Sequence, residues 1–219
     1  MLALSQLAFN DLLCSHCWQC FAHTPRRCTG CALALPGLSP QQPRCGSCLQ
    51  HPPLWLQAYA WVDYGYPWNQ LITHWKFGQS PALAQHFARW MRQDPQVLAL
   101  LAQADVLIPI PLSAPRMRER GYNQAAQLAR QLAPQQCLLY TLQRCLHTTA
   151  QSTLTRSARL RNLQHAFTVP TQQYHHLQAK QVLLVDDVFT TGATLAAASH
   201  CLLQAGVAQV NVLCLARTP

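Results

Sequence analysis

Residues Gln181 to Leu195, Q-V-L-L-V-D-D-V-F-T-T-G-A-T-L, restrict the architecture more than any other stretch of the chain. Val182, Leu183, Leu184 and Val185 are apolar without alternation, which predicts a strand covered on both faces, as in a parallel sheet. Two adjacent carboxylates, Asp186 and Asp187, follow directly. Thr190-Thr191-Gly192-Ala193-Thr194 then reads as a turn that opens a helical run from Leu195 to Gly206. In such a turn successive backbone N–H groups converge, and the helix dipole adds positive potential, so the turn is a candidate anion site. The carboxylates would repel that same anion. They suit a neighbour that brings donors or positive charge, such as sugar hydroxyls or hydrated Mg²⁺. A phosphate beside a diol describes a ribose 5-phosphate.

The flanking sequence alternates strand and helix signals. Trp55 to Tyr64 is aromatic-rich and strand-like, and Pro52-Pro53 marks a boundary before it. Trp68 to Phe77 has near-helical apolar spacing with Gly78 as a stop, and Pro81 to Met91 reads as a second helix. Asp105 to Leu112 reads as a buried strand ended by two prolines. A basic turn follows, with Arg116, Arg118 and Arg120 at alternate positions ahead of Gly121, and then a helix from Ala125 to Ala133. This turn, at a strand end before a helix, is a second candidate phosphate site. Cys137 to Leu142, His165 to Val169 and Val207 to Leu215 complete the strands. The pattern predicts an α/β fold with an open, mostly parallel sheet and ligand loops at strand ends.

Charge sharpens the choice of ligand. Only 11% of the residues are charged, yet the net charge is +9, and 14 of the 16 basic residues are arginine. Eight of those arginines lie between Arg116 and Arg161, where Glu119 is the only acid. Arginine favours bidentate phosphate recognition, so the cluster points to diphosphate, nucleic acid or both. Met1 to Asn10 has no basic leader region, and no apolar run approaches the ~18 residues of a membrane span. The expectation is a cytoplasmic protein without membrane insertion.

Residues 1–50 are of different material from residues 54–219, and each is expected to form its own domain. Seven of the eleven cysteines lie in the first fifty residues. Paired C-x-x-C motifs without a secretory signal read as zinc ligands rather than disulfides. C-T-G-C and C-G-S-C enclose thirteen residues, so Cys28, Cys31, Cys45 and Cys48 make a well-spaced Cys₄ ribbon for structural zinc. Two alternatives stay open. Cys14 and Cys17 could pair with Cys28 and Cys31, or a second site could form from Cys14, Cys17 and Cys20 with His16 or His23.

The run V-L-L-V-D-D-V-F-T-T-G-A-T resembles the phosphoribosyl-diphosphate (PRPP) signature of type I phosphoribosyltransferases, with Phe189 where those proteins usually carry a smaller aliphatic residue. A cysteine ribbon, P-I-P-L, R-x-R-x-R-G-Y-N-Q, Q-S-x-L-x-x-x-x-R-x-x-N-x-x-x-A-F and V-D-D-V-x-T-T-G-A-T, in that order, narrow the resemblance to the ComF/GntX family. The resemblance implies a type I phosphoribosyltransferase sheet with a small N-terminal zinc ribbon. It implies PRPP bound with Mg²⁺, Asp186 and Asp187 on the ribose hydroxyls, and Thr190, Thr191, Gly192, Ala193 and Thr194 on the 5-phosphate. Arg120 and Gly121 fall toward the diphosphate. Gln151, Arg156, Arg159 and Asn162 would belong to a mobile hood, and Asp186, Asp187 and Arg156 would be the catalytic residues. The family is linked to competence and to the use of external DNA, so Arg156, Arg159 and Arg161 are candidates for incoming single-stranded DNA. Two roles compete: a PRPP-dependent glycosyltransferase with an unnamed acceptor, and a non-catalytic binding module. In either, the ribbon could dock a partner such as a DNA-translocating ATPase. Relatives often carry four C-x-x-C pairs, and this chain has three and one extra cysteine.

Overall fold

The computed structural model describes residues 12–22, 25–35, 37, 41–145 and 166–219. In chain order the elements are α1 (Ser15–Phe21), α2 (Gly46–Gln50), β1 (Ala58–Asp63), α3 (Trp68–Phe77), α4 (Leu83–Met91), α5 (Pro95–Gln103), β2 (Val106–Pro109), α6 (Ala114–Arg120), α7 (Gln124–Leu132), β3 (Gln143–Arg144) and β4 (Phe167–Thr168). There follow α8 (Tyr174–Leu177), β5 (Gln181–Phe189), α9 (Ala193–Gln204) and β6 (Gln209–Arg217). The main sheet has the order β1-β6-β5-β2, and every pairing in it is parallel.

The unbroken apolar run of β5 is explained by its two covered faces. Leu183 and Val185 enter one core with α3, α4, α5 and α7, while Val182 and Leu184 enter a second core with α9. All four are essentially fully buried. Strand β6 alternates in the same way, Leu213 and Leu215 to one side and Val212 and Cys214 to the other. At about 25 cal/mol per Å² of apolar surface, this double-sided burial is the main favourable term holding the sheet.

Three expectations change in detail. The basic turn after β2 is a short helix, α6, with Pro115 in its first turn and Gly121 closing it at φ 75°. None of its residues is buried, so no apolar period announces it. The strand expected at Cys137 to Leu142 contracts to a single parallel bridge between Cys137 and Leu107, and Tyr140 is 79% exposed. Residues expected as a sheet strand at His165 to Val169 instead supply β4, which pairs antiparallel with β3 outside the main sheet. Helix α5 is an addition. Its start is signalled by Asp94-Pro95, where the Asp94 carboxylate accepts the Gln96 N–H at 2.8 Å. Among the described residues, no helix is long and apolar enough to cross a membrane.

Strands β5 and β2 are neighbours, but the helices after them lie on opposite faces. Helix α9 packs in the core that holds Leu184, and α7 packs in the core that holds Leu183. A crevice therefore opens beyond the carboxyl ends of the two strands, which is where open α/β sheets bind ligands.

Candidate functional site

That crevice is a cavity of about 360 Å³. Asp186, Asp187, Thr190 and Thr194 face it from β5 and the start of α9. Arg116, Arg120, Asn123 and Gln124 face it from α6 and α7. Lys76 of α3, Arg144 of β3 and Tyr64 also line it.

The acid pair emerges where β5 leaves its apolar stretch. Asp186 Oδ1 accepts the Asp187 N–H at 2.9 Å. Asp187 Oδ2 meets Lys76 Nζ at 2.9 Å, and both side chains are largely buried. Burial, with Asp187's charge, pushes the Asp186 carboxyl up to about 8, against the opposing pull of the Asp187 N–H, Lys76 and Arg144. Burial and the nearby Arg116 charge lower the Arg144 value, while Asp186 opposes them. The cavity wall thus carries four cationic side chains (Lys76, Arg116, Arg120, Arg144) against two carboxyl groups, of which Asp186 favours its neutral form. It is suited to a ligand that is strongly anionic in one part and rich in hydroxyls in another.

One end of the cavity is the turn after β5. Gly192 has φ 81° and caps the start of α9, so the helix begins at Ala193, two residues earlier than expected. A Cβ on Gly192 would stand 2.9 Å from the Phe189 ring. Only glycine suits both the left-handed backbone and this approach. The Thr191 hydroxyl accepts the Ala193 N–H at 3.4 Å, which helps shape the turn.

Helix α7 forms the other end. Asn123 caps it, its Oδ1 accepting the Ala126 N–H at 3.2 Å, while its Nδ2 donates to Ile110 O at 2.9 Å and ties the helix to the end of β2. Gln124 is 1% exposed, and its Oε1 accepts a hydrogen bond from Arg120 at 3.1 Å. Gln124 Nε2 and Arg120 Nε are buried with no hydrogen-bond partner. Buried donors without acceptors are costly, so the pair marks a place for a ligand oxygen.

Asp186, Asp187, Thr190, Thr194 and Arg120 are thus brought to one cavity. Thr191, Gly192 and Ala193 shape the same turn. Gly121 ends α6 just behind Arg120 and does not line the cavity, and Arg118 is exposed. Arg156, Arg159, Arg161, Gln151 and Asn162 lie outside the described residues. Lys76, Arg144 and Gln124 are site residues without a sequence expectation. Lys76 was hidden in an ordinary amphipathic helix, and only the K-F-G ending of α3 sets it apart.

The later cysteine quartet also converges. Sulfurs of Cys28, Cys31, Cys45 and Cys48 all lie within 4.8 Å of one another, and Cys31 Sγ to Cys45 Sγ is 3.8 Å. A zinc–thiolate tetrahedron, with Zn–S near ~2.3 Å, has sulfur–sulfur edges of about 3.8 Å. Cys28 Sγ accepts N–H groups from Gly30 at 3.4 Å and Cys45 at 3.2 Å. Burial raises the Cys28 thiol, but these donors outweigh it and bring it down to about 7. The donor set and its spacing fit a structural zinc ion. The upstream cysteines stand apart from this cluster: Cys14 Sγ caps α1, and Cys20 Sγ lies 3.6 Å from His16 Nε2. His23 lies outside the described residues.

A parallel sheet with an acid pair and a glycine turn at its switch point, joined to a four-cysteine cluster, defines a phosphoribosyltransferase-like protein. The sequence profile of the phosphoribosyl transferase domain matches residues 79–219. The chain belongs to this family and, within it, to the ComF group, as its motifs suggest. It is 34% identical to DNA utilization protein YhgH of Salmonella typhimurium, over 94% of this chain and 90% of that one. It is 34% identical to Competence protein F of Haemophilus influenzae over 79% and 78% of the two chains. The match to Competence protein ComFC of Bacillus subtilis is 35% over 47% and 40%.

Proposed function

We propose that this protein binds PRPP with Mg²⁺ in the β5–β2 crevice and acts in the uptake or utilisation of external DNA, handling the incoming single strand. The observation that carries the PRPP reading is the glycine turn on one side of the carboxylates and the unpartnered Arg120 and Gln124 donors on the other. The Thr190–Thr194 turn takes the 5-phosphate, Asp186 and Asp187 take the ribose hydroxyls, and Arg120 with Gln124 takes the diphosphate. Asp186 and Asp187 are the carboxylates that would hold Mg²⁺, which when bound would supply positive charge toward the diphosphate. Lys76 already offsets Asp187 at 2.9 Å, so the acid pair can face a sugar without a net repulsive charge. The DNA role is drawn from what the relatives are called, and the +9 charge suits it.

If transfer occurs, the bond from ribose C1 to the diphosphate oxygen breaks as an acceptor atom bonds to C1, and the acceptor's proton leaves to a base. The arginines hold the departing charge. A second reading, a module that holds a sugar-phosphate chain without transfer, is favoured by Arg116, which lines the cavity and is exposed at the surface. In both readings the Cys₄ ribbon carries structural zinc, residues 1–50 and 54–219 form two domains in contact with each other, and Arg156, Arg159 and Arg161 contact DNA.

Calorimetric titration of PRPP with Mg²⁺, with and without short single-stranded DNA, separates them. Saturable binding lost in Asp187→Asn supports the sugar site, and diphosphate release on adding DNA makes the protein an enzyme. DNA binding without PRPP binding leaves the module alone standing.

A further inference from the structure

Two neighbouring carbonyls of the cysteine knuckle hold side chains that reach the far side of the sheet end. Gly30 O accepts the Trp55 Nε1–H at 2.7 Å, and Cys31 O accepts the Arg217 Nε–H at 2.7 Å. Trp55 and Arg217 are both buried, at 6% and 8% exposure. Both then converge on Phe189. Arg217 donates from Nη1 to Phe189 O at 3.1 Å, and its guanidinium lies 4.7 Å from the Phe189 ring centroid. The Trp55 ring meets Phe189 edge-on at 5.9 Å. Phe189 is the last residue of β5, directly ahead of the Thr190–Thr194 turn. Its ring fills the space under Gly192, where a Cβ would also stand 3.5 Å from Trp55 Cη2.

We infer that the four-cysteine knuckle positions the anion-binding turn, with Trp55, Phe189 and Arg217 as the positioning residues; the inference rests on reading that turn as the 5-phosphate site. Ordinary core filling would explain the burial of Trp55 and Arg217. It does not by itself explain why both donate to adjacent carbonyls of one knuckle. A guanidinium stacked on a ring and bonded to its carbonyl fixes that ring more tightly than apolar contact alone.

The knuckle that carries those carbonyls is tightly wound around its four thiols. Ala32 sits at φ 58°, and Gly30 lies so close to Cys48 that a Cβ would fall 2.7 Å from Cys48 Sγ. This shape brings four thiols together, and a metal ion bound by them would hold it in place. Phe189, larger than the residue usual in the resembling signature, then has a role: it is the piece on which the knuckle presses. Metal occupancy would therefore reach the phosphate turn as a change in local order.

Hydrogen exchange on the whole chain tests this without any sugar ligand. Zinc-loaded protein is compared with protein stripped by a chelator, and zinc-loaded Trp55→Phe/Arg217→Met is measured beside them. Stripping is expected to raise exchange of the amides in residues 189–194 by about tenfold or more, with β6 residues 211–214 unchanged. The double variant should show the same local rise at unchanged zinc content. Equal exchange in loaded and stripped protein overturns the inference. So does a rise spread evenly over the sheet, which would mean loss of global stability, and so does a chain that takes up no zinc. Ribose 5-phosphate titration of the loaded protein judges the underlying reading separately: absence of binding removes the phosphate assignment, while the exchange result alone decides the coupling.

Discussion

At the scale of single residues, the site is governed by how two adjacent carboxylates tolerate each other. Asp186 holds its proton up to about 8, because burial and Asp187's charge both disfavour its ionised form. Its unfolded value is that of an ordinary carboxyl, so between about pH 4 and pH 8 the folded state binds the extra proton. The stabilising contribution is full below the unfolded value and is lost as pH rises through the folded one. Asp186→Asn keeps a neutral side chain at every pH. It should flatten this slope and raise the melting temperature at pH 8, by roughly 2–4 °C for each kcal/mol regained. Thermal melts from pH 5 to pH 8.5 check it, and parallel pH curves for variant and parent would refute the assignment. Binding of a cation or Mg²⁺-bound sugar, which favours ionised Asp186, should conversely tighten as pH rises toward 8. Lys76 acts on the partner. Lys76→Met should cost about 1–3 kcal/mol by leaving Asp187 without its ion pair, and should make sugar binding depend more steeply on Mg²⁺. Denaturant melts and PRPP titration over a Mg²⁺ series read both effects. Asp186 and Asp187 were legible in the sequence because they interrupt an apolar strand. Lys76 and Arg144 were not, because only the tertiary fold brings α3 and the β3–β4 pair to the cavity at the end of β5.

At the scale of elements, local rules worked where burial and propensity agree. Helix α3 spans Trp68–Phe77 as its spacing and Gly78 predict, and β5 follows its apolar run. They failed where one element has nothing to bury. Helix α6 carries three arginines and no buried residue, and it stands on backbone signals, Pro115 and the left-handed Gly121. The β3–β4 pair is two residues long on each side, too short for any period to show. The turn after β5 lies between these cases. Its glycine was legible as a turn residue, but the packing of Phe189 beneath it was not. Gly192→Ala tests both aspects. A non-glycine residue at φ 81° costs about 1–2 kcal/mol, and the added methyl meets the Phe189 ring at 2.9 Å. Unfolding should show at least that loss, and ribose 5-phosphate affinity should fall further than stability explains. A variant of reduced stability but parental affinity would show that the turn does not bind the phosphate.

Across the whole molecule, charge and geometry have to be read together. The sequence showed eight arginines between Arg116 and Arg161 as one cluster, and the fold divides it. Arg116, Arg120 and Arg144 face the cavity, whereas Arg118 and Arg130 are exposed outside it. Cavity arginines can serve a small anion without touching DNA, so net charge alone does not say which arginines a nucleic acid would use. The salt dependence of binding does. Each phosphate contact to a single strand contributes about 0.7 to the slope of log affinity against log salt. If exposed arginines hold the strand, Arg118→Ala/Arg130→Ala should lower that slope by up to ~1.4, and the triple replacement of Arg156, Arg159 and Arg161 by up to ~2.1. PRPP affinity should stay near parental in the first of these variants. Fluorescence anisotropy with a labelled oligonucleotide from low to moderate salt gives the slopes directly. A reduced slope only in the triple variant would confine the DNA path to the segment of residues 146–165. Unchanged slopes in both would mean that no DNA phosphate is held by these arginines, and the direct-contact reading would fall while the sugar site stood on its own geometry.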